Sequence, residues 1–107
     1  MEEFVYHLAL LDEWADAVGR GMPYERSTIG ATLEQVGFIH CSFDQQVAAT
    51  FDRFYAGRAD VVLLVIDASR LDAPLRVEDL AGTGEAFPHL YGPLELDAVV
   101  EVQPYPR

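Results

Sequence analysis

The run Val61-Val62-Leu63-Leu64-Val65-Ile66-Asp67 decides the fold. Six consecutive β-branched or leucine side chains leave no polar face, the pattern of a strand buried on both sides. At that length it cannot span a membrane, which takes about 20 apolar residues. A strand covered on both faces requires partner strands and covering helices. Upstream, Phe4 to Leu10 reads as a strand with Val5, His7 and Ala9 on one face and Phe4, Tyr6, Leu8 and Leu10 on the other. Downstream, Ala98 to Gln103 sets Val99, Glu101 and Gln103 against Val100 and Val102, a half-exposed closing strand.

Helical spacing fills the intervals. Asp12 is a good N-cap for a helix carrying Leu11, Trp14, Ala15 and Val18, stopped by Gly19 and Gly21. Ser27 or Thr28 opens a short turn of helix through Leu33 and Val36, closed by Gly37. Phe38 to Ser42 is a second short strand. Ser42-Phe43-Asp44-Gln45 then fits the capping box S-x-x-Q, and Phe43, Val47, Phe51, Phe54 and Tyr55 form the apolar stripe of the helix it opens. Phe51 and Phe54 are expected to pack on the Val61 to Ile66 strand. Leu75 to Glu78 is a further strand, Gly82-Thr83-Gly84 a turn, and Phe87 to Leu94, with two prolines, irregular or edge structure. The pattern predicts one α+β domain over residues 1–107, with strands outnumbering helices.

Seven Lys and Arg against 18 Asp and Glu give a formal net charge of −11. Such a surface repels phosphate backbones and anionic membranes, so nucleic-acid and membrane partners are not expected. A small-molecule ligand is the expected partner, and a homo-oligomer is compatible with the composition. The lone Cys41 excludes an intramolecular disulfide and a Cys-based zinc site, and a free thiol fits a reducing cytosol. No apolar run follows the acidic start Met1-Glu2-Glu3, so no signal peptide is read and a cytoplasmic location is expected.

Each of the three histidines sits in an apolar string: Tyr6-His7-Leu8, Ile39-His40-Cys41 and Pro88-His89-Leu90. An unpaired buried imidazole nitrogen costs about 1–3 kcal/mol, so three such placements favour a shared polar cleft. In extended chain, His40 shares a face with Ser42 and His89 with Tyr91. The expected site has His40 and His89 lining one cleft, His7 approaching from a neighbouring strand and Glu85 on the rim, held by the Gly82 to Gly84 loop. A carboxylate there can bind a hydroxyl or orient a nucleophile, so His40, Glu85 and His89 are the candidate catalytic residues. His7, Ser42 and Tyr91 are candidate ligand contacts, although Ser42 reads first as a helix cap. Three converging imidazoles would also suit zinc, but no metal site is assigned. Cys41 faces away from His40 and reads as a core thiol. Gly82-Thr83-Gly84 lacks the strand–turn–helix context of a phosphate loop.

Gly37-Phe38-Ile39-His40-Cys41-Ser42, the Val61 to Asp67 run, and Gly84-Glu85-Ala86-Phe87-Pro88-His89-Leu90-Tyr91-Gly92-Pro93-Leu94 resemble, in order and spacing, the bacterial family called domain of unknown function 952. The resemblance runs from Tyr6-His7 to Leu96-Asp97-Ala98-Val99. It implies an ADP-ribosyltransferase-like fold: a split, twisted, mostly antiparallel β core with two or three helices. Tyr6-His7-Leu8-Ala9, Phe38 to Ser42 and Val61 to Ala68 also resemble, more distantly, motifs of the NAD-using RNA 2′-phosphotransferases. That likeness implies NAD as cofactor, His7 on an adenosine ribose, His40 and Ser42 on the nicotinamide or phosphate side, and Glu85 as the counterpart of the ADP-ribosyltransferase carboxylate. Leu8-Ala9 replaces the Gly-Thr of those enzymes, and Phe38 replaces a histidine. Tyr55 or Ala56 stands where they place an arginine, which leaves Arg58, beyond Gly57, as the candidate ligand-binding cation. The implied function is an NAD- or nucleotide-type ligand site supporting ADP-ribosyl transfer. The alternative is a catalytically inactive small-ligand or protein-interaction domain on the same scaffold.

Overall fold

The computed structural model describes residues 3–106, so the first two residues of the acidic start lie outside it. Among the described residues the elements run β1 (Phe4–Leu10), α1 (Leu11–Arg20), α2 (Leu33–Val36), β2 (Ile39–His40), α3 (Val47–Phe54), β3 (Val61–Asp67), β4 (Leu75–Glu78), β5 (Phe87–Leu90) and β6 (Val99–Pro104). Short 3₁₀ turns cover Asp44–Gln46, Ala68–Arg70 and Leu96–Ala98.

All seven residues of β3 are buried, because it is central in one three-stranded antiparallel sheet and covered on both faces. β1 pairs with it from Phe4↔Asp67 to Leu10↔Val61, and β6 flanks its other edge with a register shift between Val65 and Ile66. Val62, Leu64 and Ile66 join Val5 and Ala9 in a core with Trp14, Tyr24, Ile39, Leu90 and Leu94. On the opposite face, Val61, Leu63 and Leu8 pack against Val47, Phe51 and Tyr55. The alternation read from β1 and the run read from β3 thus have one physical cause, two apolar layers on one sheet.

A second antiparallel sheet, ordered β2-β5-β4, carries the remaining strands. The two are stitched at one bridge, where the Tyr6 N–H donates to the Ser42 carbonyl at 2.8 Å and the Ser42 N–H to that of Tyr6 at 2.7 Å. The molecule is therefore α+β with a split antiparallel β core.

Several local expectations change. α1 springs directly from β1, with Leu10 at its N-cap and Asp12 inside the first turn, where a carboxylate favours the positive helix end. Trp14 and Ala17 are its buried residues, while Leu11 and Val18 face solvent. Thr32, not Ser27 or Thr28, caps α2, in a reciprocal box with Gln35. Ser42 does not cap α3: its backbone is engaged with Tyr6, and the chain stays extended until the 3₁₀ turn. Gln46 supplies the side-chain contact instead, its Oε1 accepting the Phe43 N–H at 2.9 Å. Phe51 is buried as expected, but Phe54 is 45% exposed. Phe51 and Tyr55 stand one turn apart over the first sheet; Phe54, rotated off that line, turns to the second. Finally, β5 is a regular strand in the centre of its sheet despite Pro88. Pro88 owes no donor to the ladder, and its carbonyl accepts the Cys41 N–H at 2.9 Å just past the two-residue β2.

Candidate functional site

β2 and β5 place His40 and His89 directly opposite each other in register, with ring centroids 5.6 Å apart. Over them lies a cavity of about 250 Å³, closed by the last turn of α3 and by the loop after β4. Aromatic rings make its walls. Phe38 stacks on His89 at 4.1 Å, Phe87 lies 5.0 Å from His40, and Phe54 approaches His40 edge-on at 6.5 Å. Glu78, Asp79 and Glu85 bring three carboxylates to the lining, and Arg53 brings a guanidinium.

Each carboxylate is held. His89 donates from Nδ1 to Glu78 Oε1 at 3.0 Å, and the Tyr91 hydroxyl donates to the same oxygen at 2.5 Å. The Tyr91 hydroxyl, then His89, hold the Glu78 carboxyl below its ordinary range, and Glu78 in turn raises the Tyr91 hydroxyl. Asp79 accepts the Thr83 N–H at 3.1 Å and the Gly84 N–H at 2.7 Å, in a loop where Gly82 and Gly84 take φ of +70° and +91°. Glu85 Oε2 accepts from Gln46 Nε2 at 3.1 Å, and the same amide donates to the Ala86 carbonyl at 2.8 Å. Buried Gln46 therefore fixes both the start of α3 and the rim carboxylate.

The histidines differ in state. The His7 Nδ1–H donates to the His40 carbonyl at 2.6 Å, so Nε2 is left to accept the Tyr24 hydroxyl at 2.9 Å. That pairing fixes one neutral tautomer, and burial lowers the His7 pKa to about 4. His40 is also lowered to about 4, by burial first and by His89 second. Its Nε2 is buried and has no hydrogen-bond partner within the protein. Behind it, Ser42 Oγ and Thr50 Oγ1 share a hydrogen bond at 3.3 Å, and Ser27 Oγ accepts the His40 N–H at 3.1 Å. Cys41 is buried with its Sγ 3.7 Å from the Ile39 carbonyl, and burial pushes its thiol up to about 12.

His40, His89 and Glu85 thus surround one cavity. Tyr91 stands behind it, acting through Glu78. His7 and Ser42 lie beneath His40 at the sheet junction, and His7 has no nitrogen left for a ligand. Arg58 lies outside the lining and is paired twice with Asp60, at 2.9 and 2.7 Å; Arg53 is the cation that faces the cavity. Among the described residues no three His, Cys, Asp or Glu side chains form a metal-binding group. Sequence reasoning missed Glu78, Gln46 and Arg53 and treated Phe38 only as a departure from a motif. Gln46 was partly findable: it is the second of two adjacent glutamines, and it, not Gln45, reaches back to the chain at the helix start, accepting the Phe43 N–H.

The family model described as a protein of unknown function, DUF952, matches residues 9–102. The chain belongs to the DUF952 family. The crystal structure of protein CC0527 from Caulobacter crescentus is 31% identical with a TM-score of 0.81, covering 95% of this chain and 85% of that one. A double mutant of CC0527 gives 30% identity and a TM-score of 0.80 over the same shares. The solution NMR structure of CC0527 gives 32% and 0.72, covering 94% of this chain and 83% of that one. No curated protein matches the chain. The DUF952 match takes in every side chain that lines the cavity, while His7 precedes it. No helix among the described residues is long and apolar enough to cross a membrane.

Proposed function

We propose that the cavity binds a small nucleotide-type ligand, with NAD the first candidate, and that the protein carries out ADP-ribosyl transfer on it in the cytoplasm. The observation that carries the reading is the registered His40–His89 pair beneath aromatic walls with a held carboxylate, Glu85, at the rim. A cavity of about 250 Å³ suits a heterocycle with its ribose better than a whole dinucleotide, so the rest of NAD lies outside. Phe38 and Phe87 offer faces for the ring. The His40 ring lines the cavity beside them. Glu85 accepts a ribose hydroxyl and stabilises positive charge as the C1′–N bond breaks and nicotinamide leaves with the bonding electron pair. An acceptor hydroxyl or amine then bonds to C1′ and releases its proton to solvent. The split antiparallel core agrees with an ADP-ribosyltransferase-like fold, an inference from architecture. Having both Glu85 and Arg53 at the edge favours catalysis over the alternative of an inactive binding domain.

Thermal unfolding with NAD, ADP-ribose and nicotinamide, alongside chromatographic detection of nicotinamide release, tests the reading. A ligand at 100 times its Kd adds about 2.7 kcal/mol of stability. NAD should raise the Tm, Phe38→Ala should remove that rise, and Glu85→Gln should keep a smaller rise but lose release. Binding by the wild type without release selects the inactive domain. No response to any of the three at millimolar concentration sinks the ligand site.

A further inference from the structure

We infer that the cavity selects a positively charged, N-alkylated heterocycle and keeps phosphate out of its interior. This rests on the ligand-site reading above and adds the charge of what enters.

Charge balance comes first. Glu78, Asp79 and Glu85 face the cavity against Arg53. Even with His89 counted as a cation, the lining is net negative. The walls act in the same direction, since the π-faces of Phe38, Phe54 and Phe87 attract a cation within about 6 Å. Arg53 already shows this preference, its guanidinium carbon lying 5.5 Å over the Phe54 ring.

The loop beside the cavity closes off the anionic alternative. Successive amides around glycines of positive φ make the usual concave seat for a phosphate. Here the Thr83 and Gly84 N–H groups are consumed by the Asp79 carboxylate at 3.1 and 2.7 Å. The seat is filled by the protein's own anion. A phosphate brought to it would meet Asp79 instead of free donors.

Two kinds of molecule carry the required chemistry, an N-ribosylated pyridinium and an N-methylated purine. The test therefore uses matched pairs that differ in charge but hardly in shape. Nicotinamide riboside is set against its neutral dihydro form, and 1-methyladenosine against adenosine, by calorimetry on the whole chain at low salt. Nicotinamide mononucleotide reports the effect of an added phosphate. In at least one pair the cation should bind roughly tenfold tighter, and the pair that shows it identifies the source. Glu85→Gln should shrink that ratio, lowering the cation's affinity by more than the neutral partner's. Raising salt on the wild type should shrink it too, a readout that survives if the variant misfolds. Equal or tighter binding of the neutral members, or tighter binding of the mononucleotide than the riboside, overturns the charge selection and leaves the ligand site standing. Silence from every probe at millimolar concentration overturns both.

Discussion

The two sheets are built to opposite specifications. In the β1-β3-β6 sheet every buried position is filled by apolar side chains except His7 and Asp67, and the central strand is sealed on both faces. In the β2-β5-β4 sheet the strands run two to four residues and carry facing histidines, and the aromatic rings lie across an open cavity. The first sheet excludes water on both faces; the second does so on one face, through Ile39 and Leu90, and turns His40 and His89 to the cavity on the other. Both sheets share the main core, and the Tyr6–Ser42 bridge and the His7–His40 hydrogen bond join them.

The sharpest way to break this division is at two phenylalanines of one helix. Phe51→Ala should cost about 3–5 kcal/mol in denaturant melts, because the ring is sealed against Leu8 and Leu63. Phe54→Ala, three residues on, should cost under about 1 kcal/mol, because the ring is 45% exposed, while weakening ligand binding. Similar stability losses at both sites would erase the contrast.

Acid should come next. His7 and His40 have folded pKa values lowered to about 4, against about 6.5 when unfolded, so below 6.5 the unfolded chain binds the extra protons. Their contribution is whole above 6.5, declines as pH falls, and is gone below 4. Between pH 7.5 and 5, His7 alone should remove about 2 kcal/mol of stability. A flat profile over that interval would mean the imidazoles are hydrated and the sheets less distinct than described.

The smallest effect sharpens the junction. Ser42→Ala should cost about 1 kcal/mol, through the lost contact with Thr50. A double-mutant cycle with Thr50→Ala should be clearly non-additive. Additive costs would restore Ser42 to the capping role that the sequence suggests.

Legibility followed the same division. β3 and the two faces of β1 were readable because sealed layers force an unbroken or strictly alternating apolar pattern. The convergence of His40 and His89 followed from strand alternation and the need of an imidazole edge for a partner. The rest depended on pairings between distant segments. Nothing local marks Glu78 as the acceptor of His89, which lies on a partner strand. Arg53 and Arg58 are separated by helix phase, which turns the first inward, and by the turn that gives the second Asp60 two residues on. Leu11 and Val18 obey helical spacing yet face water, because α1 meets the core through Trp14 and Ala17 alone.

Cys41 lies between His40 and Ser42, on the segment that crosses from one sheet to the other, with 1% of its surface exposed. As the chain's single thiol, held protonated by burial, it cannot react with an alkylating reagent until that segment detaches. Its labelling rate is therefore a native clock for local opening at the floor of the cavity, independent of global unfolding. Occupancy by a ligand would register as a slower tick, without any dye, tag or substitution.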